Sequence, residues 1–186
     1  MNRSVKVAVA VLALTSFLAA PSVGLAKSGV DLRAELTPCC GDPEPQAEGK
    51  KAEFKTQTKN SGNTGVANLR IEVEIPIPSA GLGITDPAAA DIRVVFSRGG
   101  VGDYAECFMV LDEDEDDKAK FELRIQQLSQ NGTTIIKKAV GQCDIDLATD
   151  GVQSGVPGVL DGDLATVSSV VEATSTDFLQ GTFAQH

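Results

Sequence analysis

Six consecutive carboxylates, from Asp112 to Asp117, are the densest group of chemically active side chains in this sequence. They follow the apolar stretch "FMVL" and precede "KAKFELRI", in which apolar and charged residues alternate. Calcium binds about six to eight oxygen atoms, which often come from carboxylates and backbone carbonyls in loops. The spacing of Asp112, Asp114 and Asp116 makes these three residues candidate calcium ligands, and calcium is the only cofactor that the sequence indicates.

The positions that follow Asp116 exclude an EF-hand loop. Asp117 stands where that loop requires glycine, and Leu123 stands where it requires a bidentate glutamate. A looser calcium site could still combine the acidic run with "DGDL" (161–164) or "DIDLATDG" (144–151). The favoured interpretation is a hairpin tip in water without a cofactor, where neighbouring carboxylates repel one another least, and calcium or another hard cation is the alternative.

Four cysteines remain as candidates for covalent chemistry, and in an exported chain disulfides are their expected state. We expect Cys107 to pair with Cys143, because each lies in a predicted strand and such strands can be neighbours across the two sheets of a sandwich. Cys39 and Cys40 are adjacent in the loop "TPCCGDPEP". For them a disulfide within the loop, pairing with other cysteines or another chain, and a redox or metal role remain alternatives.

The sequence lacks the residues that several classes of enzyme require. His186 is the only histidine, so no Ser-His-Asp or Cys-His arrangement and no histidine zinc site is expected in the fold. No phosphate-binding or dinucleotide-binding glycine motif is present. A hydrolase that uses a pair of carboxylates remains open, because it needs only two suitably spaced acids. The absence of Trp and the single Tyr104 argue against a sugar-binding cleft.

The N-terminus predicts a cleaved secretory signal peptide at residues 1–26. Arg3 and Lys6 precede the apolar run "VAVAVLALTSFLAA", and the small residues Gly24 and Ala26 predict cleavage after Ala26. The apolar run is shorter than the ~20 residues that a membrane-spanning helix needs. We therefore expect a secreted or periplasmic protein without stable membrane insertion after cleavage.

The net charge of the chain restricts the classes of partner that it can bind. Cleavage after Ala26 removes two basic residues and no acidic one, so the net charge changes from −10 to about −12. Such a surface repels nucleic acid and anionic lipid. The expected partner is an extracellular protein or polymer, and the sequence does not identify it.

Alternation of apolar and polar residues predicts an all-β fold. The clearest examples are "VDLRAEL", "LRIEVEI" and "KFELRI", and four further segments fit less strictly: "KAEFKTQTK", "DIRVVFS", "YAECFMVLD" and "TTIIKKAVGQCDID". "DLATVSSVV" and "DFLQGTF" complete about nine strands, and Asn131-Gly132 predicts a two-residue hairpin turn. "DPAAAD" is expected to form one short turn at most. We predict a single domain at residues 27–186, an antiparallel two-sheet β-sandwich, with a small β-barrel as the alternative.

One segment resembles a known family. The stretch "AELTPCCGDPEPQAEGKKAEF" resembles the opening of CHRD-type secreted domains, in which a strand ends in a proline-bearing loop before an alternating strand with Phe. The His-bearing segment that this family has in its middle is missing here, so the resemblance implies secretion and a β-sandwich and transfers no functional residue. The end of the chain, "GDLATV" with "FLQGTF", is similar to the closing strands of many exported bacterial β-sandwiches.

Together these patterns predict an exported, non-enzymatic β-sandwich protein that acts as a binding, surface or matrix component. Two alternatives stay open, namely a carboxylate-pair hydrolase acting on a polysaccharide and a calcium-stabilised adhesion-type module.

Overall fold

The computed structural model describes residues 29–41, 43–44, 46–59, 64–130, 133–145 and 158–186. The predicted signal peptide, the Asn131-Gly132 turn and most of "DIDLATDG" lie outside these residues, so the structure does not test those predictions. Within the described ranges, no helix is long and apolar enough to cross a membrane.

The described residues form thirteen strands and no α-helix. In chain order the strands are β1 (Asp31–Arg33), β2 (Thr37–Pro38), β3 (Glu48–Lys59), β4 (Thr64–Pro76), β5 (Asp91–Arg98), β6 (Gly102–Phe108), β7 (Val110–Asp114), β8 (Lys118–Gln130), β9 (Thr133–Val140), β10 (Gln142–Cys143), β11 (Leu164–Val171), β12 (Thr174–Thr182) and β13 (Ala184–Gln185). The segment "DPAAAD" contributes a single 3₁₀ turn, Pro87–Ala89, which the Asp86 side chain caps.

The strands form two antiparallel sheets. The first sheet has the order β13-β1-β3-β4-β8-β7, and β9 also pairs with β8, beyond the end of β7. The second sheet has the order β10-β6-β5-β11-β12-β2. Neither sheet closes into a barrel within the described part of the chain, so the barrel alternative is not supported.

Period-two patterning determines which side of each sheet is buried. In β4 the side chains of Leu69, Ile71 and Val73 are fully buried, and Arg70 between them points to the outer face. Strands of the second sheet alternate in the same way, and their buried residues belong to the same hydrophobic cluster as those of the first. Burial of this cluster supplies the main favourable term in folding.

The chain changes sheets in the middle of two segments that were each predicted as one strand. "YAECFMVLD" divides at Met109, whose backbone N–H donates to the carbonyl of Ile92, into β6 of the second sheet and β7 of the first. "TTIIKKAVGQCDID" divides at Gly141, which has a φ of 83°, into β9 of the first sheet and β10 of the second. A Cβ at Gly141 would collide with the Phe108 carbonyl oxygen, so the two crossings lie against each other.

The structure confirms an all-β chain with two antiparallel sheets. The described residues form thirteen strands where about nine were predicted, because two predicted segments each divide into two strands and because the short strands β2 and β13 were not predicted. The predicted first strand "VDLRAEL" is the main difference, because only Asp31–Arg33 pairs and the chain then leaves the first sheet to form β2 in the second.

Candidate functional site

The acidic run lies in the hairpin that joins β7 to β8. Asp112, Glu113 and Asp114 are part of β7, so only Glu115–Asp117 form the tip. The hairpin is irregular, because Leu111 pairs with Phe121 while Glu113 pairs with Lys120, and Asp112 bulges between them. The prediction of a hairpin is therefore correct, but half of the acidic run is strand rather than turn.

Lysines of β8 lie beside these carboxylates. Lys120 Nζ lies 3.5 Å from Asp112 Oδ2 and 3.8 Å from Glu113 Oε1, and Lys118 Nζ lies 3.4 Å from Glu115. No group of three or more His, Cys, Asp or Glu side chains in the described ranges is arranged to hold a metal ion. The structure thus does not bring Asp112, Asp114 and Asp116 together as a ligand set, and calcium binding stays a prediction.

Both cysteine pairs lie at disulfide distance. Cys107 of β6 and Cys143 of β10 are directly opposite each other, with their Cα atoms 4.0 Å apart. This fits the predicted pairing, but the two strands are neighbours within the second sheet and do not face each other across the two sheets. Cys39 and Cys40 follow β2 at the edge of that sheet, and their sulfurs also lie within bonding distance.

The best-defined pair of acids lies on the outer face of the first sheet. Glu72 of β4 and Glu122 of β8 stand opposite each other, and both are largely buried. Arg70 lies beside them: its Nε donates to Glu122 Oε1 at 2.9 Å, and its guanidinium also pairs with Glu72. The two opposed carboxylates therefore share a single guanidinium as their ionic partner.

Glu74 lies on the same outer face between two lysines. Its carboxylate is 2.7 Å from Lys118 Nζ and 3.1 Å from Lys50 Nζ. The hydrogen bond from Lys118, followed by that from Lys50, outweighs partial burial and lowers the pKa of Glu74. The Glu74 carboxyl group therefore stays ionised. A general acid would instead need a raised pKa.

A buried polar cluster centres on Asp163, in the "DGDL" turn before β11. Arg98 donates to both carboxylate oxygens, Nε and Nη2 each at 2.8 Å, and the Tyr104 hydroxyl donates to Oδ2 at 2.8 Å. The Leu160 backbone N–H donates to the same oxygen at 2.7 Å, and the guanidinium of Arg98 lies 4.7 Å from the centre of the Tyr104 ring. Because its oxygens are occupied by protein donors, Asp163 is not free to share a cation with the acidic hairpin.

The pKa values in this cluster follow from burial and hydrogen bonding. Burial alone would raise the pKa of Asp163, but the hydrogen bonds from Arg98, Leu160 and Tyr104 lower it below its ordinary value. Burial and the hydrogen bond to Asp163 raise the pKa of Tyr104. Asp163 therefore remains a carboxylate and Tyr104 remains a phenol. Sequence reasoning missed this cluster, since Arg98 and Tyr104 are about sixty residues from Asp163 and no local spacing connects them.

The outer face of the second sheet contains a region of uncharged side chains. Outward-pointing residues on β5, β11, β12 and β2 lie opposite one another in two rows: Val95, Thr166, Gln180 and Thr37 in one, and Ser97, Leu164 and Thr182 in the other. We call these seven residues the neutral face. They are partly or fully exposed, whereas the residues between them along β5 and β11, such as Val94 and Ala165, are buried.

Charged residues border the neutral face. Glu106 and Asp103 of β6 lie directly opposite Val95 and Ser97. Glu106 accepts a hydrogen bond from Arg93 at 2.7 Å, and Asp103 accepts one from the Ser97 hydroxyl at 2.6 Å. Within the face, Gln180 Nε2 donates to Thr166 Oγ1 at 3.1 Å. The seven positions themselves carry only hydroxyl, amide and aliphatic groups.

An open groove of about 260 Å³ lies at one end of the second sheet. Its walls include Asp86, Asp91 and Glu172, and the Asp86 carboxylate already accepts the Ala88 backbone N–H at 3.0 Å. The described lining residues of the groove include no Lys, Arg, His or Cys, and its Ser169 hydroxyl donates to the Leu82 carbonyl oxygen at 3.2 Å.

Comparison with known proteins gives no family for this chain. No protein-family model matches it, and no curated protein or solved structure is significantly similar to it. The function must therefore be argued from the geometry of the protein itself.

Proposed function

We propose that this chain is an exported, non-enzymatic β-sandwich protein that acts as a binding, surface or matrix component. Its contact surface is the neutral face of the second sheet. Its partner is an extracellular protein or an uncharged polymer, and not a nucleic acid or a membrane.

Two features support an exported sandwich. Buried residues of both sheets belong to one hydrophobic cluster, as in two sheets packed face to face. Both cysteine pairs lie at disulfide distance, which fits an oxidising compartment and agrees with the signal-like N-terminus.

The neutral face is the observation that carries the proposal. Charged residues make up 23% of the chain, yet seven neighbouring outward positions on four strands have no charge. Charged groups are depleted from the centres of protein interfaces, because a charge that loses water without gaining a partner costs free energy. An uncharged area within an acidic molecule is therefore the part of the surface that a macromolecule can cover at least cost.

The outer face of the first sheet is a less suitable contact surface. Its acids and bases are engaged with one another, as in the contacts of Arg70 with Glu122 and of Lys118 with Glu74. The pKa of Glu74 and that of Asp163 are both displaced downward. A carboxylate-pair hydrolase needs one acid with a raised pKa, so these directions favour a binding role over the hydrolase alternative.

A binding experiment with matched variants tests the proposal. Thr166→Arg places a charge at the centre of the neutral face. Asn68→Arg places the same side chain at a comparable outward position of β4 on the first sheet, where Asn68 also accepts one side-chain amide hydrogen bond. Each protein is sedimented with cell-envelope material of the producing cells, with and without prior protease digestion of that material.

We expect the unaltered protein and Asn68→Arg to sediment with the envelopes, and Thr166→Arg to bind at least about tenfold more weakly because of the desolvated charge. Loss of binding after protease digestion identifies a protein partner, and retention identifies a polymer. Equal binding by both arginine variants would exclude the neutral face, and no sedimentation of the unaltered protein would exclude envelope binding.

A further inference from the structure

Strands β7 and β9 form one continuous outer edge of the first sheet. Both pair with the same side of β8, β7 opposite residues 119–122 and β9 opposite residues 124–130, and both run antiparallel to it. We call the two strands the composite edge. In the part of the chain that the structure describes, no strand pairs with its outer side. Such an edge presents backbone N–H and C=O groups that a further strand can pair with.

The composite edge is long and partly apolar. Ile135 and Ile136 are 45% and 63% exposed, and Val110 is 41% exposed. Ile135 lies opposite Leu128, which points to the outer face, whereas Ile136 lies opposite the buried Gln127. Apolar side chains are therefore exposed on both faces of β9.

Charges on the composite edge are separated by sign. Lys137 and Lys138 lie in β9 and make no ion pair with any described residue, while Asp112, Glu113 and Asp114 lie in β7. One half of the edge is thus basic and the other half is acidic. A linear edge of this kind is complementary to itself when a second copy is turned by 180°.

We propose that the composite edge pairs antiparallel with the composite edge of a second copy of this chain. The two-fold axis passes through the position opposite Leu123, the one residue between the segments of β8 that pair with β7 and with β9. In this register Val110 lies opposite the partner's Val140, and Glu113 lies opposite the partner's Lys138. The first sheets of the two copies then form one continuous sheet.

In this register, both the side chains and the backbone groups of the two edges can pair. Val110 and Val140 pair with Glu122 and Arg124, which are two residues apart on β8 and point to the same face. Leu111 and the partner's Ala139 then also meet on one face, the buried one. Between the irregularities at Asp112 and Lys137, antiparallel hydrogen bonding alternates with period two, so the outward backbone groups of Val110 and Leu111 match those of the partner's Val140 and Ala139.

The break between β7 and β9 lies on this axis, and each strand has one further irregularity, at Asp112 in β7 and at Lys137 in β9. The chain leaves the second sheet for the first at Met109 and returns to the second sheet at Gly141, and both crossings lie beside Leu123. The strands on either side of the break are therefore free to pair with those of the partner without displacing the crossings.

Sedimentation velocity of the secreted protein tests the proposal, from about 1 to about 300 μM, which covers the affinities of small interfaces. We expect a reversible monomer–dimer equilibrium. Lys138→Glu and Glu113→Lys each place like charges opposite each other twice, and each should weaken dimerisation about tenfold or more. An equimolar mixture of the two variants should form a heterodimer, because each mixed pair then joins Glu with Lys. Lys55→Glu makes the same charge change on β3, away from the edge, and should leave the equilibrium unchanged.

A monomer at every concentration, a dimer that Lys138→Glu does not weaken, or a mixture that does not recover dimers would each overturn the proposal. Amide hydrogen exchange of the unaltered protein gives a second test that needs no variant. Exchange in β7 and β9 should slow as concentration rises, while exchange in β13, the opposite edge of the same sheet, should not change. Equal behaviour of the two edges would contradict the proposed pairing.

Discussion

Asp163 accepts four hydrogen bonds while only 1% of its surface is exposed. The cost of burying its charge is offset by the paired guanidinium of Arg98 and by the hydroxyl of Tyr104. These contacts join β5 and β6 to the turn that precedes β11. At the level of single residues, this cluster is the most fully satisfied polar group that the structure describes, and it serves the fold.

Asp163→Asn should destabilise the protein by about 2 to 3 kcal/mol, because Arg98 loses its ionic partner and one amide hydrogen must face a donor. Asp161→Asn is the matched control in the same turn, since Asp161 is exposed and accepts only the Gln185 backbone N–H at 3.1 Å. The control should cost less than about 1 kcal/mol. Urea unfolding measures both values, and equal effects would contradict the role of the cluster.

The lowered pKa of Asp163 predicts how stability depends on pH. A folded pKa below the unfolded value of about 3.9 gives a contribution that is fully present above that pH and is lost as the pH falls toward the folded value. The difference in unfolding free energy between the unaltered protein and Asp163→Asn should be constant from about pH 5 to 7 and narrow below about pH 4. Urea unfolding at a series of pH values measures it. A difference that stays constant in acid would argue against a lowered pKa.

Elements with strict alternation could be predicted closely from the sequence. "DIRVVFS" matches β5, and the alternating parts of β4 and β8 face the core as expected, because each has one buried side and a period of two. The sheet changes at Met109 and Gly141 could not be predicted. Strands on both sides of each crossing follow the same pattern, and only tertiary pairing determines which sheet each one joins.

Features of the candidate site could be predicted only where a local sequence pattern indicates them. Positions of Cys107 and Cys143 in two predicted strands were enough to propose their pairing. The neutral face and the Asp163 cluster depend on register between strands that are far apart in sequence, so no local pattern shows them. The acidic run shows the opposite case. Its composition is conspicuous in the sequence, but in the structure its acids are spread along a strand and a hairpin tip.

The acidic hairpin predicts no response to calcium. Its described carboxylates form no group of three suited to a metal, and Asp112 and Glu113 lie near Lys120. The melting temperature should therefore be the same with excess calcium and with chelator. A calcium-dependent rise that Asp114→Asn removes would instead establish the calcium site that the sequence left open as an alternative.

At the scale of the whole molecule, the pair Cys107–Cys143 closes a long excursion of the chain. Between these residues the chain leaves the second sheet, forms β7, β8 and β9 in the first sheet, and returns beside β6. The residues are 36 positions apart, whereas Cys39 and Cys40 are adjacent. A bond across the longer loop restricts the unfolded chain far more than a bond between neighbours.

Replacing both Cys107 and Cys143 with Ala should lower the free energy of unfolding by about 4 kcal/mol in the chain-entropy description. The matched double variant at Cys39 and Cys40 should lose less than about 1 kcal/mol, because it closes almost no loop. Guanidinium unfolding without reductant measures both. Equal losses, or a larger loss at Cys39 and Cys40, would contradict this account of the second sheet.

We propose that the protein binds its partner through the neutral face. Hydroxyl-radical footprinting, read by mass spectrometry, tests it directly by comparing the free protein with the protein bound to envelope material. The account predicts that Val95 and Leu164 become protected on binding, while Val66 and Leu128, on the outer face of the first sheet, keep their labelling. Protection of Val66 and Leu128 with unchanged labelling of Val95 and Leu164 would contradict it.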